Sequence, residues 1–464
     1  MTASATHLED LAHHLRGPLH LPDDEGGEGG EGYADARSGF QLGLTHRPAA
    51  IVEALDTADV RAVVRYATAN GLGVAVQATG HGLVAPATED AVLISTRRMD
   101  TVRVDPAERT VWLGAGVRWR RVLDAAGEHG LAPLSGSSPD VGAVSYTLGG
   151  GLGPLARRYG YAADHVRRVE LVTADGEVRE VSAEEDPDLF WALRGGGGNF
   201  GVVTGLELGL VPVARLYGGG LLFDGTHAGE VLEAYRNWTA TVPDELTSSV
   251  GMVPVPDAPE VPEPLRGKYL VHVRIAHLGG VSEGEALVAP LRAVAPRLRD
   301  DLGELPYSAS PSIYNDPADP HSYVGDNAFV HGLDAAALRA IVDLAGPDSP
   351  VPCVVDLRHL GGALRQGGVD SAVGHRDAGF LVRVLSGLDG EVDAATARAA
   401  HARVLAALAP TTLGRSLNFV YGTVTDARTG YDPGDHERLA ALKTVHDPAN
   451  VFRFNQNITP ATSA

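Results

Sequence analysis

Residues 136–166 read GSSPDVGAVSYTLGGGLGPLARRYGYAADHV, a stretch that joins two glycine-rich turns, SGSSPDVG (135–142) and LGGGLG (148–153). Two more flank it, GHG at 80–82 and RGGGGNFG at 194–201. Glycine lets backbone N–H groups approach a ligand closely and adopt the conformations that form anion-binding nests. One such run reads as an ordinary turn. Several turns converging on one place would cradle a diphosphate.

A Rossmann-type fold would need G-x-G-x-x-G directly after a strand, opening a helix, with an acidic residue about 20 positions on. Here GGGLGPL follows no clear strand, and GGGGNFG runs into the strand-like FGVVTGLEL. That fold is therefore disfavoured. Upstream, Thr57 is a plausible N-cap, Val60, Val63, Val64 and Ala67 follow helical spacing, and Asn70-Gly71 supplies a stop. The apolar run 73–77 then predicts a buried strand leading into QATGHG (77–82). Further strands are predicted over 92–95, 102–104 and 110–113, with a helix over 119–129. Asp175-Gly176, between RVELVTA and EVREVS, marks a hairpin. The first 210 or so residues read as α+β with much antiparallel pairing.

After Val213 the texture changes. Helix-like segments (229–240, 283–297, 394–408) alternate with apolar runs such as YLVHVRIAHL and FLVRVL. VPVPDAPEVPEPL (253–265) reads as a surface connection and the acidic, glycine-rich run 23–32 as a mobile loop. A chain of 464 residues exceeds what one hydrophobic core usually supports, so more than one domain is expected.

Acidic side chains outnumber basic ones 59 to 38, for a formal charge of -21, which argues against nucleic acid and anionic lipid as partners. The single cysteine, Cys353, fits a reducing compartment. The start MTASATHLEDLAHHL lacks the basic-then-apolar pattern of a secretory signal, and no apolar run is long enough to span a membrane, so a cytoplasmic protein is expected. His13-His14 and the scattered acids lack metal-ligand spacing, and no metal is expected. Neither a G-x-S-x-G nor a P-loop pattern occurs in a supporting context.

The ordered series GHG, 136–166, VTADG (172–176), DPDLFWALRGGGGNFGVVT (186–204) and LKTVHDPANVFRFNQNI (442–458) resembles the berberine-bridge-enzyme-like flavoproteins of the vanillyl-alcohol-oxidase superfamily. The resemblance implies an α+β protein with a bipartite, PCMH-type FAD-binding domain, 41–212 completed by 414–460. An α+β substrate domain on an antiparallel sheet, 213–413, is inserted between the two parts. It also implies that His81 bonds covalently to the flavin. Several relatives add a second bond through a cysteine where this chain has Ser138, so a single link is expected. Gln77 stands where relatives often have an arginine, which leaves Thr79, Gly80, Gly82 and the later loops to hold the diphosphate. The cofactor-binding set is completed by Gly136, Ser137, Val141, Gly142, Gly149, Gly150, Gly151, Gly153, Gly201, Val203, Asn455 and Asn457. The resemblance implies that Val141 stands beside the flavin where bulk controls dioxygen entry, unless it only packs its loop, and that Asn455, Gln456 and Asn457 match a segment near the flavin ring.

Removing hydride from an alcohol or lactol requires a base for the hydroxyl proton. Relatives often use a tyrosine on a strand near the C-terminus. This chain has SLNFVYG (416–422), with Phe419 at that place and Tyr421 two residues on, on the same face if the segment is a strand. A second family segment, DLRHLGGALRQ (356–366) with AVGHRD (372–377), contributes Asp356, His359, His375 and Arg376, while Leu360 replaces a tyrosine of several relatives. Tyr421, His375 and Asp356 are the candidate catalytic residues. The resulting expectation is an oxidase that passes two electrons from a small hydroxylated or carbocyclic substrate, in secondary-metabolite tailoring, through FAD to dioxygen with release of hydrogen peroxide. A carbohydrate oxidase, a dehydrogenase with another acceptor, and a flavin-binding protein without turnover are the alternatives.

Overall fold

The computed structural model describes residues 5–22, 31–259, 261–365, 370–388, 390 and 392–461. Most of the glycine-rich loop read at 23–32 lies outside the described residues. Its last two residues open the helix Glu31–Arg37.

Three sheets organise the chain. In the first, Leu19–His20, Ala50–Glu53, Ala91–Ser95 and Gly73–Gln77 lie in that order, with Ala91–Ser95 parallel to both of its neighbours. Such parallel strands need a crossover, and the helix Thr57–Ala69 supplies it, burying Val60, Val63, Val64 and Ala67. Its N-cap is Asp56, one residue before the expected Thr57, because the Asp56 carboxylate accepts the N–H groups of Ala58 and Asp59. The second sheet is antiparallel, in the order Val102–Asp105, Thr110–Gly114, Val202–Gly209, Val166–Val172, Val178–Ser182. Its last two strands form the hairpin signalled by Asp175-Gly176. The helix beside it stops at Gly127, short of the expected 129.

The tail enters both N-terminal cores. Val451 and Phe452 pack with Val74, Val92, Val172 and Val202, and Tyr431, Leu439 and Ile458 pack with Trp119, Trp191 and Phe200. Lys443, fully buried, ties these parts together by donating to Asp447 Oδ2 (2.6 Å), the Asn199 carbonyl (2.7 Å) and the Phe452 carbonyl (3.2 Å).

The third sheet has nine antiparallel strands between Arg215 and Gly414. Alternation along its central strands separates two faces. Val355, Leu357, Val382 and Val384 join a core with the helices Ala228–Thr239, Ala335–Ala345 and Ala394–Leu408. Asp356, Arg358 and Arg383 point the other way. The helix expected over 283–297 is Val281–Arg292; Pro296 excludes helical geometry just before it, and Arg297–Asp300 joins the sheet edge.

SLNFVYG is not a strand. Leu417–Phe419 forms a 3₁₀ turn, because the Asn327 side chain pairs with both the N–H and the carbonyl of Ser416 in place of a backbone partner. Extended pairing resumes only at Tyr421, which exchanges both backbone hydrogen bonds with Gly325. A Cβ at Gly325 would lie 2.8 Å from the Tyr421 ring, so glycine there makes room for it.

Candidate active site

A cavity of about 440 Å³ runs between the two N-terminal sheets and the polar face of the third. All four glycine loops line it, through 80–82, 136–138, Leu148, Gly149 and Leu152, and 195–198. In the first, the carbonyls of Thr79 and Gly80 turn outward to accept from Phe40 and Gln41 N–H. The N–H groups of Thr79, Gly80, His81, Gly82 and Leu83 have no hydrogen-bond partner among the described residues. Gly80 has φ 75°, and a Cβ there would sit 2.7 Å from Gly39 Cα. Nothing lies within 4 Å of where a Cβ would stand on Gly82, Gly197 or Gly198. Exposed N–H groups on glycine backbone that a ligand can approach form the donor set a diphosphate needs in so acidic a chain.

His81 stands among these loops. Its ring stacks on Phe40 at 3.9 Å and 11°, and its Nδ1 shares a 2.9 Å hydrogen bond with the Thr79 hydroxyl, whose oxygen also accepts Gly142 N–H (3.3 Å). Tyr323, from the third sheet, donates its phenol to the His81 carbonyl (2.6 Å). Nε2 is buried without a partner among the described residues. Burial, aided by the charge of Arg118, pushes the imidazole pKa down to about 4, so the ring is neutral at pH 7.

The third sheet supplies the other wall. Tyr421 meets Tyr323 edge to face at 5.3 Å, and Arg358 and Arg383 lie over the Phe419 ring at 4.9 and 4.6 Å. All five line the cavity, with His321 and Asp316. Burial raises the Tyr421 pKa, with Arg383 and Arg358 pulling the other way, so the phenol carries its proton at neutral pH.

Of the three candidate bases only Tyr421 reaches the cavity. Asp356 is buried behind it, accepting from Arg274 Nη1 (2.9 Å) and Arg358 Nε (2.8 Å). Burial alone would raise its pKa, but Arg358, Arg383 and Arg274 hold it well below the usual carboxylate range, and a carboxylate so stabilised is no proton acceptor. His375 lies off the cavity with φ 57°, its Nε2 2.9 Å from the Thr429 carbonyl.

Among the expected cofactor residues, Thr79, Gly80, His81, Gly82, Gly136, Ser137, Ser138, Val141, Gly149, Gly201, Val203 and Asn455 line the cavity. Gly142, Gly150, Gly151, Gly153 and Asn457 do not. Gly151 and Gly153 are glycines for packing, since Cβ atoms there would lie 2.5 Å from Tyr146 and 1.9 Å from the Ser135 carbonyl oxygen. Gly150 has φ 105° and faces Val373 and Tyr161, and Gly142 acts through its N–H on Thr79. Gln77 spends its amide on His46 and on the Arg37 and Ser38 carbonyls. Phe40, Tyr323, Arg358 and Arg383 were missed from sequence. Arg358 alone had a local signal, two residues from Asp356 on one strand face.

The FAD binding domain family matches residues 48–182, and the berberine and berberine-like family matches residues 417–459. Over 97% of this chain and 98% of the relative's length, the sequence is 30% identical to (R)-6-hydroxynicotine oxidase of Paenarthrobacter nicotinovorans. The crystal structure of 6-hydroxy-D-nicotine oxidase from Arthrobacter nicotinovorans superposes with a TM-score of 0.81 at 28% identity, covering 96% of this chain and 98% of that one. The glucooligosaccharide oxidase of Acremonium strictum, which carries 6-S-cysteinyl, 8α-N1-histidyl FAD, shares the fold (TM-score 0.82, 20% identity, 98% and 100% covered). Among the described residues no helix is long and apolar enough to cross a membrane.

Proposed function

Because the chain belongs to the FAD-linked oxidoreductases of the berberine-bridge-enzyme-like family, we propose that it is an oxidase of a small hydroxylated or carbocyclic substrate in secondary metabolism. In this reading dioxygen is the final electron acceptor, and FAD is held by one covalent bond through His81. The observation that carries it is the neutral imidazole with a buried, unpartnered Nε2 on the wall that the glycine loops and Tyr421 share.

Bound FAD supplies the two-electron acceptor. The chain's own residues do the rest. The free N–H groups of 79–83 hold the diphosphate. In the tautomer in which Nδ1–H donates to the Thr79 hydroxyl, the imidazole lone pair stands on Nε2 and that nitrogen is left for the bond. Ser138, a hydroxyl on the cavity wall, makes no thioether, in keeping with a single link. Tyr421 positions the substrate hydroxyl, and its phenolate, the minor form at neutral pH that the charges of Arg383 and Arg358 favour, accepts the hydroxyl proton. Val141, half-buried on the same wall, leaves dioxygen a path. The division into 41–212, 213–413 and 414–460 accords with the sheets, since strands of the second sheet end at Gly209 and those of the third begin at Arg215. A cytoplasmic setting accords with a lone, buried Cys353.

Acid precipitation of wild-type protein and of His81→Ala tests the link. Flavin should stay with the wild-type pellet and leave the variant; equal release from both refutes it. Peroxide formation on air reoxidation of the chemically reduced protein tests the oxidase assignment.

A further inference from the structure

The polar face of the third sheet carries a charge imbalance. Arg274, Arg358 and Arg383 surround one carboxylate, Asp356, in a chain whose overall charge is -21. Two of the three are committed to the protein. Arg274 donates through Nη1 to Asp356 Oδ1, although its Nε, like that of Arg383, is buried with no partner among the described residues, and Arg358 donates to Asp356 Oδ2 and to the Leu152 carbonyl (3.3 Å). Arg383 differs. Its Nε stands 3.8 Å from Asp356 Oδ2, an ion-pair distance without a hydrogen bond, and is buried with no partner. Apart from that ion pair and its contact with the Phe419 ring, the guanidinium has no polar partner among the described residues. The side chain is 16% exposed, rests on the Phe419 ring at 4.6 Å and lines the cavity.

A guanidinium offers a planar fork of donors matched to a carboxylate, and leaving those donors unmade in a secluded place is costly. The other carboxylate on this wall, Asp316, is exposed and accepts from the Ser137 hydroxyl; its charge acts on Arg358, but it makes no ion pair with Arg383. Aromatic surface shares the cavity, with Phe419 against the guanidinium and Tyr421 and Tyr323 on the same wall. We infer that Arg383 is a substrate-binding residue that receives a carboxylate, so the substrate is an aromatic or alicyclic acid whose anionic group docks on Arg383 while its oxidisable carbon faces the flavin. This rests on the oxidase reading above and names the substrate class for the same site.

Benzoate and its neutral isostere benzamide provide the test, titrated into the flavin-loaded protein while the visible flavin spectrum is followed. Benzoate should perturb the spectrum at a concentration about tenfold or more below that of benzamide. Arg383→Gln should abolish that preference by weakening benzoate alone, and Arg383→Lys should keep part of it, having the charge without the fork. Equal affinity for the two probes, or no perturbation by either, overturns the proposal and assigns the guanidinium to the flavin's own pyrimidine edge. Should Arg383→Gln fail to retain flavin, the wild-type preference and the Arg383→Lys titration decide the matter. Failure of the oxidase reading is distinguishable: benzoate would still be preferred, but the chemically reduced flavin would not be reoxidised by air.

Discussion

Replacing Thr79 by valine keeps the shape of the side chain and removes only its hydroxyl. That hydroxyl bonds His81 Nδ1 at 2.9 Å, while stacking on Phe40 at 3.9 Å and 11° fixes the plane of the ring. Stacking is indifferent to a half-turn of the imidazole about its Cβ–Cγ bond, whereas the hydrogen bond is not. The variant should therefore keep the ring in plane and lose the bias between its two flipped states. A neutral hydrogen bond contributes a net of about 0.5–1.5 kcal/mol, which corresponds to a two- to twelve-fold loss, in order of magnitude, of the orientation that presents Nε2. Covalent attachment should slow by about that factor. The assay mixes flavin-free protein with FAD, stops samples in acid, and follows the flavin retained by the pellet against time. Thr79→Ser should attach flavin at the wild-type rate and His81→Ala not at all. Attachment by Thr79→Val at the wild-type rate would refute the role given to the hydroxyl, and a slowing of many thousand-fold would show that the loop itself had been disrupted.

Tyr421→Phe should lower kcat by about a hundredfold or more, as loss of a general base does, while His375→Asn, which tolerates the positive φ, should leave turnover near wild type; the reverse ranking would restore His375 as the base. Lys443→Met strands the buried Asp447 and frees the Asn199 loop, so stability should fall by about 3–5 kcal/mol, read as a lower denaturation midpoint, and an unchanged midpoint would contradict the buried pair. Burial and Arg157 push the His359 pKa down to about 3, below its unfolded 6.5. Between those values the unfolded chain binds the extra proton, so stability rises with pH across that window and is lost as pH falls through it. His359→Gln, which keeps an acceptor for Arg157, should flatten the slope of unfolding free energy by about 1.4 kcal/mol per pH unit between pH 4 and 6; an unaltered slope would show that His359 charges in the folded state.

What the sequence determined by itself was whatever depends on local backbone demands. The glycine loops, the helix after Asp56 and the Asp175-Gly176 hairpin were legible because turn, cap and alternation rules act over a few residues, whereas the tail that completes the N-terminal cores was legible only through the family resemblance. Tertiary structure alone decided the chemistry of the third sheet's polar face. Asp356, Arg274 and Arg383 come from three different strands, and it is their mutual distances that make the carboxylate inert and leave one guanidinium unengaged. Tyr323 and Phe40 reach His81 from 242 and 41 residues away, with no local pattern to announce either contact. SLNFVYG shows the same limit from the other side, since its strand-like alternation lost to the side-chain amide of Asn327, 89 residues from Ser416. Backbone conformation answers to neighbours in the chain, but proton affinity, ion pairing and access to a cavity answer to neighbours in space, and those exist only once the sheets have packed.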